Sequence, residues 1–302
     1  MITVFTPMYN RAHTIFRLYE SLEKQTCKSF EWVIVDDGST DNTTEILQEI
    51  SSKASFPVKT ERQANAGKHA AINRGVEIAS GNLFFIVDSD DYLQNNAVER
   101  ILSIVDTLPK GEISHFAGIS GVRVTPGGIS IGTSFNESYI DCTAFERYKH
   151  NINGDKSEVY FTDILTRYPF PVFEGENFLT ESVIWYRIAN DGYKIRWTNE
   201  PYYICEYQED GLSNTTGKCS RCFNGYHLTT KEMLQYKQLP FKVRCAQLLA
   251  YSAIAYKEKK DLGACAGDIG VPHMVVSILG RLGLLAFKIR TSLFIRKKRH
   301  EK

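Results

Sequence analysis

The sequence carries no excess of charge, no regular cysteine framework and no long uninterrupted apolar run. Its 36 Lys and Arg stand against 35 Asp and Glu, a formal net charge of +1. That balance gives no global field for a nucleic acid or an acidic polymer, so no nucleic-acid partner is expected. The seven cysteines are too irregularly spaced for a disulfide scaffold and point to reduced thiols in the cytoplasm. Cys219 and Cys222 form the one close pair, and no second pair follows at a finger-like spacing. His227, Cys245 and Cys265 would have to join them by the path of the fold, so ordinary thiols are preferred over a structural zinc site. A membrane-spanning helix needs about 20 apolar residues; the last apolar segment is interrupted by Arg281, Lys288 and Arg290. Internal repeats and low-complexity linkers are missing. No leader peptide is expected, because Met1 runs directly into the strand-like Ile2-Thr3-Val4-Phe5-Thr6.

What is present is a core-forming composition, 43% hydrophobic, in a chain long enough for one large domain or a domain with an appendage. The most informative stretch is Phe84-Phe85-Ile86-Val87-Asp88-Ser89-Asp90-Asp91. Four apolar residues read as a buried strand, and three carboxylates follow at its C-terminal end. In an open α/β sheet that edge is where ligands bind. Carboxylates this close need a cation or strong donors to stay ionised together. An Mg²⁺- or Mn²⁺-type ion shared with substrate phosphates is one answer; an acidic turn capping the next helix is the other.

The surrounding pattern favours the cation. Residues 2–6, 31–35, 58–61 and 83–87 read as strands, and helices are expected from His13, after Asp41, over 68–79 and over 95–108. Ile15, Leu18 and Leu22 mark the first helix; Ile46, Leu47 and Ile50 mark the second. Four strand–helix alternations with short connections predict a mostly parallel, twisted sheet flanked by helices. A second acidic cluster, Asp36-Asp37-Gly38-Ser39-Thr40-Asp41, closes the second strand. Parallel strands with right-handed crossovers bring both clusters to one edge and one crevice. Lys68 and His69 open a helix after Gly67, where a lysine and backbone N–H groups can meet phosphate.

Beyond residue 110 the rhythm weakens. Residues 113–124, 193–197 and 202–207 are strand-like, 168–173 is extended by its prolines, and 178–190 reads as a helix. Residues 208–214 read as a polar loop, and from about 218 the chain reads as helical, with amphipathic segments at 219–237 and 241–258. A last helix from Pro272 to about Ile295 sets Ser277, Arg281, Lys288 and Ser292 on a narrow polar face against Val275, Leu279, Leu282, Ala286, Ile289 and Leu293. With Arg296, Lys297, Lys298 and Arg299 after it, this suits a helix lying on an anionic membrane surface; a helix packed on the domain with a solvated tail is the alternative. The expected division is a first domain at 1–215, in two halves 1–110 and 111–215, and a helical extension at 216–302.

Five motifs occur in order: Thr6-Pro-Met-Tyr-Asn-Arg11, Val35-Asp-Asp-Gly-Ser-Thr-Asp41, Asn65-Ala-Gly-Lys68, Ala79-Ser-Gly81 and Val87-Asp-Ser-Asp-Asp91. Together they resemble the family 2 glycosyltransferases of GT-A fold, over roughly residues 1–215 and in a bacterial polysaccharide-type subgroup. The resemblance implies an inverting transfer from a nucleotide diphosphate sugar, a UDP-sugar above all, to a hydroxyl of a glycan or lipid-linked glycan, assisted by Mn²⁺ or Mg²⁺. It implies that Thr6, Pro7, Tyr9, Asn10, Arg11, Asp36, Asp37, Lys68, Asp88 and Ser89 bind the nucleotide sugar, with Thr6, Asp36 and Asp37 lining the base and ribose pocket. It assigns the metal to Asp88 and Asp90, with Asp91 beside them. It also implies a cytoplasmic protein, peripheral on the inner face of the membrane.

Many relatives carry a Glu-Asp pair at the start of a later helix, where this chain reads Leu179-Thr180-Glu181-Ser182. An acceptor hydroxyl must lose its proton as it attacks, and Glu181 is the candidate base. Glu174 and Glu176 are rivals, and a capping glutamate is the structural alternative. Nucleotidyl transfer is a second reading, although residues 6–11 lack the glycines of its usual loop. A binding module without catalysis is a third.

Overall fold

The computed structural model describes residues 1–206 and 222–285. The chain divides into two compact units, Met1–Thr215 and Thr216–Lys302. The expected loop at 208–214, Cys219 and the basic residues at 296–299 lie outside the described residues.

In the first unit β1 (Ile2–Met8), β2 (Phe30–Asp36), β3 (Val58–Arg62) and β4 (Leu83–Ile86) alternate with α1 (Ile15–Glu23), α2 (Thr43–Lys53), α3 (Lys68–Ile78) and α4 (Ala97–Asp106). The apolar stripes read from the sequence are the ones that bury: Ile15, Leu18 and Leu22 on α1, and Leu47 and Ile50 on α2. β2 and β4 flank β1, and both pair with it in parallel, Met8 opposite Asp36 and Phe5 opposite Ile86. Their C-terminal ends therefore share one sheet edge, which is where the two acidic clusters stand.

The expected α/β sheet is present, parallel across β3-β2-β1-β4 and mixed beyond it. The further strands are β5 (Tyr92–Leu93), β6 (Phe116–Val124), β7 (Ser130–Ile131), β8 (Tyr139–Cys142), β9 (Lys156–Phe161), β10 (Lys194–Thr198) and β11 (Tyr203–Ile204). β9 inserts antiparallel between β4 and β6, and the sheet continues through β10 to β8. A short helix, α5 (Thr162–Arg167), follows β9, and α6 (Ser182–Asn190) precedes β10. α6 starts four residues later than its composition suggests, because residues 174–181 form a loop that lays Glu181 at the helix N-cap. Two apolar layers cover the sheet. One gathers Ile15, Leu18 and Ile101 from α1 and α4; the other gathers Ala71, Ile72, Val183 and Ile184 from α3 and α6.

The second unit contains α7 (Phe223–Gln235), α8 (Phe241–Lys257), α9 (Leu262–Asp268) and α10, residues 273–285. α9 lies within the stretch expected to be helical from about 218, although the sequence did not single it out. Its core joins Phe223, Tyr251, Ala255, Cys265, Ala266 and Val276. His227 ties three helices together, with Nδ1 2.6 Å from the Tyr251 hydroxyl and Nε2 2.7 Å from Asp268. Cys222 and Cys265 are buried and Cys245 is exposed. Among the described residues no single helix is long and apolar enough to cross a membrane.

Candidate active site

The crevice is built by loops that tie to one another. Asn10 adopts a positive φ of 52°, and its Oδ1 accepts the Thr40 N–H at 2.7 Å while its own N–H donates to Ser39 Oγ at 2.9 Å. The Ala12 N–H donates to Asp41 Oδ2. The loops after β1 and β2 are thus one rigid wall, with Tyr9 48% exposed at its rim and Pro7 half-buried in β1.

Asp36 and Asp37 divide their work. Asp37 is buried, and its carboxylate accepts from the N–H groups of Ala66 (2.9 Å) and Gly67 (2.8 Å) and from Gln63 Nε2 (2.7 Å). It fixes the turn before α3 and stands in the wall of the crevice. Asp36 Oδ1 accepts the Ser39 N–H at 2.8 Å, but Oδ2 has no hydrogen-bond partner and only the Arg62 guanidinium at 3.6 Å. Thr6 stands on β1. Its side chain is fully buried, and its hydroxyl accepts the Trp32 indole N–H at 2.9 Å, inside the core.

The turn that Asp37 holds delivers Lys68. Gly67 has φ +93°, and a Cβ there would lie 2.1 Å from the Asn177 carbonyl oxygen. Only glycine lets the turn press against the 174–181 loop. The next residue, Lys68, sets its Nζ 2.7 Å from Asp88 Oδ1 and 2.9 Å from Glu181 Oε1. One ammonium therefore joins the loop after β4 to the N-cap of α6. Burial works against the charged form of Lys68, but the two carboxylates outweigh it and raise its pKa. Burial likewise works against an ionised Glu181; Lys68 outweighs it and holds the carboxyl below its ordinary value. Glu181 is thus ionised at neutral pH, the state a proton acceptor requires. The Glu176 charge is felt at His69, which is buried and held low mainly by desolvation.

The three aspartates after β4 separate. Asp88 faces Lys68 and, at 3.7 Å, Arg123. Asp91 is 4% exposed; it accepts the Tyr203 hydroxyl at 2.7 Å and the Glu206 N–H at 3.0 Å. Burial and then the Asp88 charge push the Asp91 carboxyl up to about 6. Asp90 is raised by the same two influences, and the Arg11 charge partly offsets them. Ser89 is buried between them. Among the described residues no three His, Cys, Asp or Glu side chains are grouped to hold an ion, and Asp91 is engaged by Tyr203 and the Glu206 N–H. The donor set that remains, Asp88 and Asp90, fits an Mg²⁺- or Mn²⁺-type ion, which takes one or two carboxylates and completes its shell with phosphate oxygens and water.

Arg123 was missed. It lies on β6 with its guanidinium 4.4 Å from the centre of the Tyr203 ring, within 4 Å of both Asp88 and Asp91, and its Nε donates to the Lys156 carbonyl at 3.0 Å. A single arginine in an otherwise apolar strand was the available signal. Arg17 supports the same loop from the other side, donating to the Asp90 carbonyl at 2.8 Å and pairing with Glu206.

Comparison with known proteins bears on the family and the fold. The model of the family described as Glycosyl transferase family 2 matches residues 3–160, just over half of the chain. An uncharacterized glycosyltransferase of Nostoc sp. is 33% identical over 118 residues, 39% of this chain and 37% of that one. The chain spans little more than a third, or less, of the length of the first curated relatives it matches. Among solved structures, S. aureus TarS 1–349 in complex with UDP-GlcNAc superposes with a TM-score of 0.61 at 21% identity, covering 85% of this chain and 72% of that one. A mannosyltransferase of Pyrobaculum calidifontis, in complex with GDP-Man and Mn²⁺, superposes with a TM-score of 0.56 at 17% identity, over 97% and 80%. At these identities the likeness is one of fold, the GT-A fold.

Proposed function

The chain belongs to glycosyl transferase family 2, and from that premise we propose that it moves a sugar from a UDP-sugar to a hydroxyl of a glycan or lipid-linked glycan, with inversion at the anomeric carbon. The observation that carries this reading is the Lys68 ammonium, shared at 2.7 and 2.9 Å between Asp88 and Glu181. It puts a diphosphate-side carboxylate and an ionised proton acceptor in one crevice. Inversion needs a single in-line displacement, and that in turn needs a base opposite the leaving group. Glu181 takes the acceptor proton as the oxygen attacks. Lys68 and the N-terminus of α3 meet the diphosphate, and Arg11 and Tyr9 border it. Asp36 and Asp37 stand in the wall behind the nucleoside. Asp88 and Asp90 would hold the divalent ion, which when bound neutralises the charge that builds on the leaving diphosphate. Two neighbours of the same fold are named as complexes with UDP-GlcNAc and with GDP-Man and Mn²⁺, which supports a nucleotide-sugar donor and a metal. The unit at 1–215 carries this chemistry, and its half beyond residue 110 selects the acceptor. The protein works in the cytoplasm.

Calorimetric titration with UDP, with and without Mn²⁺, tests the donor half of the reading. Metal-dependent binding is expected. Binding of GDP, CDP or dTDP but not UDP would reassign the donor. No binding of any of the four would overturn the reading.

A further inference from the structure

The helical unit exposes a surface that its own core does not use. α10 meets α8 through two glycines. A Cβ at Gly280 would lie 2.8 Å from the Ser252 carbonyl oxygen and from Tyr256 Cβ, and one at Gly283 would lie 2.6 Å from Ala253 Cβ. The partner positions fall in number along α8 as the glycines rise, so the two helices run antiparallel. Val276 is fully buried. Met274, Ile278, Leu282 and Leu285 follow one another at intervals of four, four and three, which places them on a single stripe. They are 69%, 50%, 54% and 57% exposed. At the α8 end towards which Leu285 points, Phe241 is 73% and Leu249 40% exposed. Burying each such side chain is worth roughly 1.5–3 kcal/mol, so a cover for the stripe is strongly favoured.

Charge decides between the possible covers. Residues 281–302 hold eight Lys and Arg against one acid, Glu301. A second copy seated on the stripe would bring two such segments together, and like charge opposes it. An anionic lipid surface attracts each basic residue by about 1 kcal/mol. We propose that the stripe and the basic residues after it dock on an anionic phospholipid bilayer, with α10 lying in the headgroup plane. Arg281, Lys288 and Arg290 interrupt the apolar run well short of the roughly 20 apolar residues a spanning helix needs. α9 and α10 are bent by 116°, so together they make no straight span either. This docking is independent of the chemistry at residues 1–206.

The test is sedimentation of the full chain with phosphatidylcholine vesicles and with vesicles in which phosphatidylglycerol replaces part of the phosphatidylcholine. Binding is expected to the anionic vesicles and to weaken with salt. Ile278→Glu with Leu282→Glu should weaken it by about tenfold or more, with an unchanged circular dichroism spectrum because both positions are exposed. Arg296→Gln, Lys297→Gln, Lys298→Gln and Arg299→Gln together should abolish the preference for anionic lipid. Equal binding of the Glu variant and the parent, or no binding to either vesicle, overturns the proposal. So does a dimer in light scattering that the Glu variant dissolves without lipid, which would assign the stripe to a second copy. UDP titration of the same preparations separates the outcomes: vesicle binding without nucleotide binding fails the transferase reading alone, and the reverse fails this one.

Discussion

Both edges of the parallel sheet bury a carboxylate beside a lysine, and the two pairs behave differently. At the N-terminal edge Glu31, 2% exposed, accepts from the Thr3 hydroxyl at 2.7 Å and from the Ser80 N–H, and its other oxygen meets Lys59 at 2.8 Å. Every partner but the lysine is fixed in the frame, and nothing there opens to a ligand. At the C-terminal edge Lys68 stands between two carboxylates that have few fixed partners of their own. An incoming diphosphate and its cation can take over either side of that bridge. A carboxylate paid in backbone N–H groups is architecture; one held by a side-chain cation is exchangeable. Asp37 belongs with Glu31 by this measure, although it sits in the crevice.

The sharpest way to break the contrast is at the exchangeable edge. Glu181→Gln should lower transfer by about 10²–10⁴-fold while leaving UDP titration unchanged; near-normal turnover in a product assay would move the base to Glu174 or Glu176. Lys68→Met leaves two partly buried carboxylates facing each other. Loss of one member of a buried pair costs about 3–5 kcal/mol, reduced here by partial exposure to about 2–4 kcal/mol, and UDP affinity should fall as well. A variant with parental melting and affinity would remove Lys68 from the bridge. Gly67→Ala meets the Asn177 carbonyl in a positive-φ turn and should cost about 2–3 kcal/mol, seen in urea unfolding together with weaker UDP binding. Unfolding unchanged would mean that the 174–181 loop yields.

The closed edge gives the smallest effect and the clearest pH signature. Burial would raise the Glu31 carboxyl, but Lys59, the Ser80 N–H and the Thr3 hydroxyl outweigh it and hold it low. A depressed acid stabilises the fold above its unfolded pKa, and that stability is lost as pH falls through the lower folded value. Glu31→Gln should therefore cost about 1–3 kcal/mol at pH 7, with the gap to the parent closing on acidification below about pH 4.5 and transfer unaffected. A gap that stays constant with pH would mean the charge contributes nothing.

The same contrast explains what the sequence made legible. Alternating apolar strands and amphipathic helices specify the parallel half, and parallel pairing brings both acidic clusters to one edge. The fate of each carboxylate was less readable. Asp37 is claimed by the N–H groups of residues 66 and 67, about thirty positions away, and no local pattern announces such a bond. Thr6 reads as a polar strand end, yet its hydroxyl satisfies the Trp32 indole in the core. Beyond residue 110 the order of strands depends on β9 entering antiparallel between β4 and β6. The β4–β9 pairing joins segments more than seventy positions apart and leaves no period in the sequence. Arg123 was within reach, since a charge in a buried strand calls for a partner.

The clamp on the 66–67 turn makes the crevice its own gauge. Two amide protons, those of Ala66 and Gly67, end on one buried carboxylate, directly before Lys68. They trade with deuterium only when the clamp lets go. Their exchange rates, read residue by residue in heavy water, would time how often the empty crevice breathes and how far a bound nucleotide stills it, with no turnover needed.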